Sequence, residues 1–307
     1  MALTLLEASK HARSPEELAV IRELASGDLL NVLPFRNIQG SGLFWKREEE
    51  LADVGFRHIN DGLSEGYGQT SQQSEALKFF GGDVVVDRAI MELEGPEARA
   101  FQVQSKVRAM RLAYERVFIK GDEKGHNGLE FDGLQNRLDG TKNSQVVDAG
   151  DAGLKLSQLD EMLDAVDAQG GNKYLIMSKA ARRVLTAASR NGTINGGIRI
   201  DSDQMGRKVT YYQDTPILII DRDEKNEEIL TRKLSETQSV TDIYCAAFGD
   251  LLTVGLQNGG ISVRDLGESH EKPAYITRVE WYCGLAAING RSLARLKGVN
   301  VAEAATA

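Results

Sequence analysis

GPEARAFQVQSKVRAMRLAYERVFIKGDEKG, residues 95–125, followed by HNGLEFDGLQNRLDG, residues 126–140, is the stretch around which the chain is organised. Gly95-Pro96 suits a helix start, because proline at the first helical position loses no needed N–H and its φ is already set. Val103, Val107, Met110, Tyr114 and Val117 then recur at four- and three-residue steps, one face of a helix. Arg99, Lys106, Arg111 and Glu115 fall between them and are expected to stay in water. No proline or glycine interrupts the run from 97 to 119, so a helix over 96–119 would span roughly 36 Å at about 1.5 Å per residue. Gly121 is its expected stop. Beyond it, Asn127-Gly128, Asp132-Gly133 and Asp139-Gly140 are suited to tight turns. A long helix leading into short strands reads as a spine with a β-tongue beside it.

The totals bound the remaining possibilities. A chain of 307 residues buries a sizeable core, and its length suggests about two domains. A net charge of −8 argues against a protein whose main task is gripping nucleic acid, which needs a basic surface. Cys245 and Cys283 lie in apolar, strand-like surroundings and read as free thiols of a reducing compartment rather than as a disulfide. The first residues, MALTLLEASKHARS, lack the basic start and apolar core of a signal peptide. No apolar run approaches a membrane span. A soluble protein made in a cytoplasm is the expectation.

In chain order, Ser14-Pro15-Glu16-Glu17 makes a good helix entry, with a helix over 15–25 ended near Gly27 and 28–34 extended. Residues 35–84 hold eight glycines and polar runs such as 69–75. Only weak strand candidates, 42–46 and 54–59, appear there, too little to bury itself within one compact subunit. Residues 78–88 read as a return into the body. Then helix and strand alternate: Leu156, Leu159, Leu163 and Val166 make a helical face, 174–177 a buried strand, and Ser178 caps a helix through Ala188. Strands follow at 209–213, 217–220, 243–248 and 251–256, with Asn258-Gly259-Gly260 separating the last from 261–263. Residues 275–288 read as a long strand covered on both faces, and 292–296 as a short helix.

Gly121-Asp122, Phe131-Asp132-Gly133-Leu134, YLIMSKAARRVLTAA with TPILIID, and RVEWYCGLAAINGRSLARLKGV, in this order, resemble the major capsid proteins of tailed bacteriophages. The resemblance implies an α+β Hong Kong 97-like fold: an N-terminal arm (1–34), an extended β-hairpin loop (35–84), a peripheral domain with the spine helix (85–144 and 269–307) and an axial domain (145–268). It implies that copies assemble as hexamers and pentamers into an icosahedral shell, enclosing double-stranded DNA without sequence-specific binding. No cofactor, metal or membrane is implied. Since the chain begins almost directly with the arm at Met1, a separate scaffolding protein is expected, together with a portal. Localisation would be the virion capsid, assembled in a host bacterial cytoplasm. The alternatives are an encapsulin-type cellular shell and, from another class, an α/β enzyme with an unrecognised site.

Catalytic patterns are absent from the sequence. His11, His58, His126 and His270 are scattered, and Gly40-Ser41-Gly42 lacks the spacing of a nucleophile elbow. Lys124 is not followed by the ending of a phosphate loop. Asp221 and Asp223 read as solvated turn residues. Lys46 lies in the loop, where some capsid relatives form an isopeptide cross-link, but the surface-lysine reading stands. The residues singled out are Phe44 and Trp45, large apolar side chains in a stretch with few neighbours, expected to contact an adjacent subunit.

Overall fold

The computed structural model describes residues 2–302, apart from 13, 51, 60, 61, 63–65, 96, 140–144, 191–196, 203–207 and 236–238. The elements run β1 (Leu3–Thr4), α1 (Leu5–Ala8), α2 (Pro15–Leu24), α3 (Asp28–Val32), β2 (Pro34–Asn37), β3 (Gly42–Glu50), β4 (Gln69–Ala76) and β5 (Lys78–Asp87). Next come α4 (Arg88–Glu94), α5 (Glu97–Lys120), α6 (Leu134–Asp139), β6 (Val146–Asp148), α7 (Leu156–Asp164), β7 (Asn172–Met177), α8 (Lys179–Arg190), β8 (Ile198–Ser202), β9 (Lys208–Tyr212) and β10 (Thr215–Ile219). The chain closes with β11 (Thr231–Lys233), β12 (Ser239–Phe248), β13 (Thr253–Glu268), β14 (Ala274–Ala287) and β15 (Leu293–Asn300).

α5 is the expected spine. Val107, Met110, Tyr114 and Val117 bury its apolar face. Tyr114 stacks on Trp281 of β14 at 5.1 Å between centroids and meets Phe35 and Phe131 at 6.2 and 5.6 Å. Gly121 ends the helix for a steric reason. A Cβ there would stand 2.2 Å from the carbonyl oxygen of Phe131, whose segment crosses over the helix end. Pro96, expected at the helix start, lies outside the described residues. The wet-face expectation fails most at Glu115, which is buried, while Arg99, Lys106 and Arg111 are half-buried. Phe118 and Ile119 are buried as well, which widens the apolar stripe at i, i+3 and i+4 and encloses Glu115.

Two strand groups meet end to end. In the first, β14 lies between β5 and β13, and β13 continues through β2 to β1. In the second, the order β6–β15–β12–β7–β10–β9–β8 carries β11 beside β12. They join where Phe248 of β12 pairs with Thr253 of β13. One face of the second group packs on α7 and α8 through Leu159, Met162, Leu175, Leu185, Ile243 and Leu296. Its other face, with Ile176, Leu218 and Tyr244, shares the principal core with α5.

Several expectations are corrected. Residues 28–34 are not extended: α3 forms there, because Leu29, Leu30 and Leu33 are all buried and a helical turn brings them onto one core. The first 34 residues, read as an arm, place Leu5, Val20, Ile21 and Leu24 in that same core. No β-tongue follows the spine among the described residues. Turns lead instead into α6, although Asn127 and Gly128 both take the positive φ anticipated for them, 52° and 78°. Residues 54–59 form no strand. Gly259 and Gly260, also at positive φ, do not end β13 but make a bulge where the register slips between Gln257 and Ile261. The 292–296 helix is replaced by β15, where pairing with β12 overrides local helix preference. Gly140 of the expected Asp139-Gly140 turn lies outside the described residues. Ser178 does cap α8, its Oγ accepting from the Ala181 N–H at 3.2 Å.

Candidate subunit interface

The β3–β4 hairpin forms a two-stranded sheet of its own. Strand alternation assigns its faces. Leu43, opposite Glu75, and Trp45, opposite Gln73, turn inward. They pack against Ile38, Val254, Leu256 and Ala286. Glu75 takes an ion pair from Arg137 of α6 at 2.5 Å, and the same guanidinium donates to the Leu285 carbonyl at 2.9 Å. The hairpin root is therefore fixed to α6 and β14.

Its other face has no such partner. Phe44, opposite Ser74, is 70% exposed, and Lys46, opposite Gln72, is also exposed. Beyond the strands, Val54 (95%), Phe56 (110%), Ile59 (91%) and Tyr67 (88%) stand free of the body. Isolated apolar residues on a surface need no explanation, but a series along one projecting element marks an interaction site. The residues singled out from sequence are thus separated: Phe44 faces solvent, whereas Trp45 rests half-buried on its own subunit. Trp45 leaves its buried Nε1–H without a hydrogen-bond partner. Val54, Phe56, Ile59 and Tyr67 were not singled out individually. Their signal lay in the combination of apolar side chains with a glycine-rich, polar context that supplies no core.

Elsewhere several ionisable groups serve structural contacts. Among the described residues no three His, Cys, Asp or Glu side chains are placed to hold a metal. Cys245 and Cys283 are buried and unpaired with each other; burial pushes the Cys245 thiol up to about 12, far from a reactive thiolate. Asp221 pairs with Lys179 at 3.1 Å. Asp223 is buried rather than solvated, because its Oδ1 accepts the backbone N–H groups of Lys225 and Glu227 and holds that turn closed. A groove of about 640 Å³ between α2, α5 and the sheet includes Val20, Phe101, Val103 and Val263 in its lining. Of its charged members, Arg99 and Asp265 are spent on a two-bond ion pair at 2.6 and 2.9 Å, and Glu23 pairs with Arg108 at 3.4 Å; Glu16 and Glu97 line it as well.

Glu115 is the most perturbed carboxyl. It faces Gly27 so closely that a Cβ there would lie 2.7 Å from Glu115 Oε1 and 2.9 Å from Arg111 Cδ. Burial raises its pKa to about 7; Arg111 opposes the shift and Asp28 adds to it.

Comparison with known proteins places this geometry. Residues 88–217 match the family model described as SU10 major capsid protein. No curated protein sequence matches. The holo-SrpI encapsulin complex from Synechococcus elongatus PCC 7942 superposes with a TM-score of 0.64 and 17% identity, covering 100% of this chain and 99% of that one. The cyanophage A-1(L) capsid gives 0.60 and 13%, over 86% and 89%. A structure from Mycobacterium phage Adephagia gives 0.61 and 10%, over 88% and 89%. At such identities these structures establish the shared fold, and the family model matches a segment, 88–217, that spans less than half of the chain.

Proposed function

We propose that this chain, a major capsid protein of the tailed-phage type with a Hong Kong 97-like fold, closes as hexamers and pentamers into an icosahedral shell around double-stranded DNA. The supporting observation is the β3–β4 hairpin: its root is pinned to its own subunit, while Phe44, Val54, Phe56, Ile59 and Tyr67 project with nothing beneath them. A neighbouring subunit is the surface that covers them. In this reading 1–34 is the N-terminal arm, folded into the core through α1–α3, 35–84 the extended loop, 85–144 with 269–307 the peripheral domain, and 145–268 the axial domain. The acidic balance of the chain suits a lining that releases packaged DNA. Scaffolding and portal proteins would be its assembly partners, and the virion its location.

An encapsulin shell shares the fold, and the match to the Synechococcus elongatus structure runs nearly end to end. The capsid family match favours the phage reading. Light scattering and negative-stain microscopy of the purified chain test assembly, with the Phe44→Ala/Phe56→Ala variant alongside. The expected result is particles or rings for the wild type, and a folded but poorly assembling variant. A wild-type chain that stays monomeric at high concentration would overturn the proposal.

A further inference from the structure

α7 and α8 lie on the same face of the second strand group, their apolar sides sharing one core. Their outer sides carry opposite charge. On α7, Glu161 and Asp164 are exposed one turn apart. On α8, Arg183 and Arg190 are exposed two turns apart, seven residues being close to a whole number of helical turns. Among the described residues none of these four side chains makes a hydrogen bond or ion pair. The neighbouring cations differ: Lys179 is held by Asp221, and Arg182 turns instead into a cleft with Asp28 and Lys208. Two unspent stripes of opposite charge on one subunit, with no ion pair between them, are complementary across two copies.

We propose that the acidic stripe of α7, Glu161 and Asp164, seats against the basic stripe of α8, Arg183 and Arg190, of a second copy. The inference rests on the shell reading above and names one contact within its rings. Such a contact is heterologous, since different surfaces of identical subunits meet, and repeating it closes a ring. Each exposed pair contributes little alone. Complementary stripes instead set register and exclude wrong orientations, and a ring repeats them at every junction.

Two variants test this. Glu161→Lys/Asp164→Lys makes both stripes basic, and Arg183→Glu/Arg190→Glu makes both acidic. Each alone should repel at every junction and lose roughly tenfold or more in association per contact, while circular dichroism and melting show the subunit folded. Mixed in equal amounts, the two should regain assembly, because alternating copies restore an acidic-on-basic contact all round an even-membered ring. The mixed product should therefore favour hexamers over pentamers by native mass spectrometry. Separate variants that assemble like the wild type would overturn the inference while leaving the shell reading intact. So would folded variants that fail alone and are not rescued by mixing. A wild type that never assembles would remove the shell reading itself.

Discussion

Replacing Glu115 by glutamine should stabilise the isolated subunit at alkaline pH and leave it unchanged in acid. The carboxyl sits under Gly27 between α5 and the start of α3, and burial raises it from an ordinary 4.5 to about 7. A raised carboxylate pKa means that the native state holds its proton over a range in which the unfolded chain has lost it. The contribution is therefore fully present below pH 4.5, falls away as pH rises towards 7, and is gone above it. Integrated over that window it is worth about 3 kcal/mol. Glutamine keeps the shape and removes the titration. Urea melts of the unassembled wild type and variant at half-unit steps from pH 4 to 8.5 should show curves that coincide in acid and separate through the window. The variant should lead by up to about 3 kcal/mol, or roughly 6 °C in Tm. An identical pH slope in both proteins, or a gap that closes as pH rises, would refute the assignment.

Other outcomes follow from particular contacts. Arg295→Met should cost about 3 kcal/mol in urea denaturation, because Arg295 is 2% exposed and its loss leaves the largely buried Asp242 without the partner it holds at 2.7 Å, while half-exposed Asp139 turns to water. Gly81→Ala should lower Tm through a clash equivalent to about 1–3 kcal/mol, since its Cβ would stand 2.2 Å from the Val279 carbonyl oxygen, in the middle of the β5–β14 pairing.

The spine, the return of β5 and the long β14 were legible because each carries a strong local period or an unbroken apolar run. Failures of sequence reading cluster where tertiary pairing decides. LARLKG has helical character in isolation, yet β12 recruits it as β15. Leu29, Leu30 and Leu33 look extended after Gly27 until a core exists for them to face. Glu115 was hidden by its own chemistry: a carboxylate reads as a solvent residue, and only the burial of Phe118 and Ile119 beside it shows otherwise. The charged stripes of α7 and α8 are visible as charges in sequence, but their shared sheet face and missing partners are not.

Phe44 and Trp45 show how a single residue of register divides one expectation into two. Adjacent strand residues point to opposite faces, so a fixed hairpin cannot present both to the same neighbour. The inward face is chosen by Leu43 and Trp45 packing over Ile38 and Leu256, with the Glu75–Arg137 ion pair on the same side. That leaves Phe44 outside. Trp45→Ala should therefore destabilise the isolated subunit by about 2 kcal/mol, less than the usual cost for a fully enclosed aromatic. Phe44→Ala should leave the subunit's melting within about 0.5 kcal/mol of wild type and act on assembly instead. Melting of both variants beside light-scattering assembly assays separates the roles. If Phe44→Ala lowers the melting temperature as far as Trp45→Ala does, the outer face of the hairpin is covered within its own subunit and Phe44 is no interface residue.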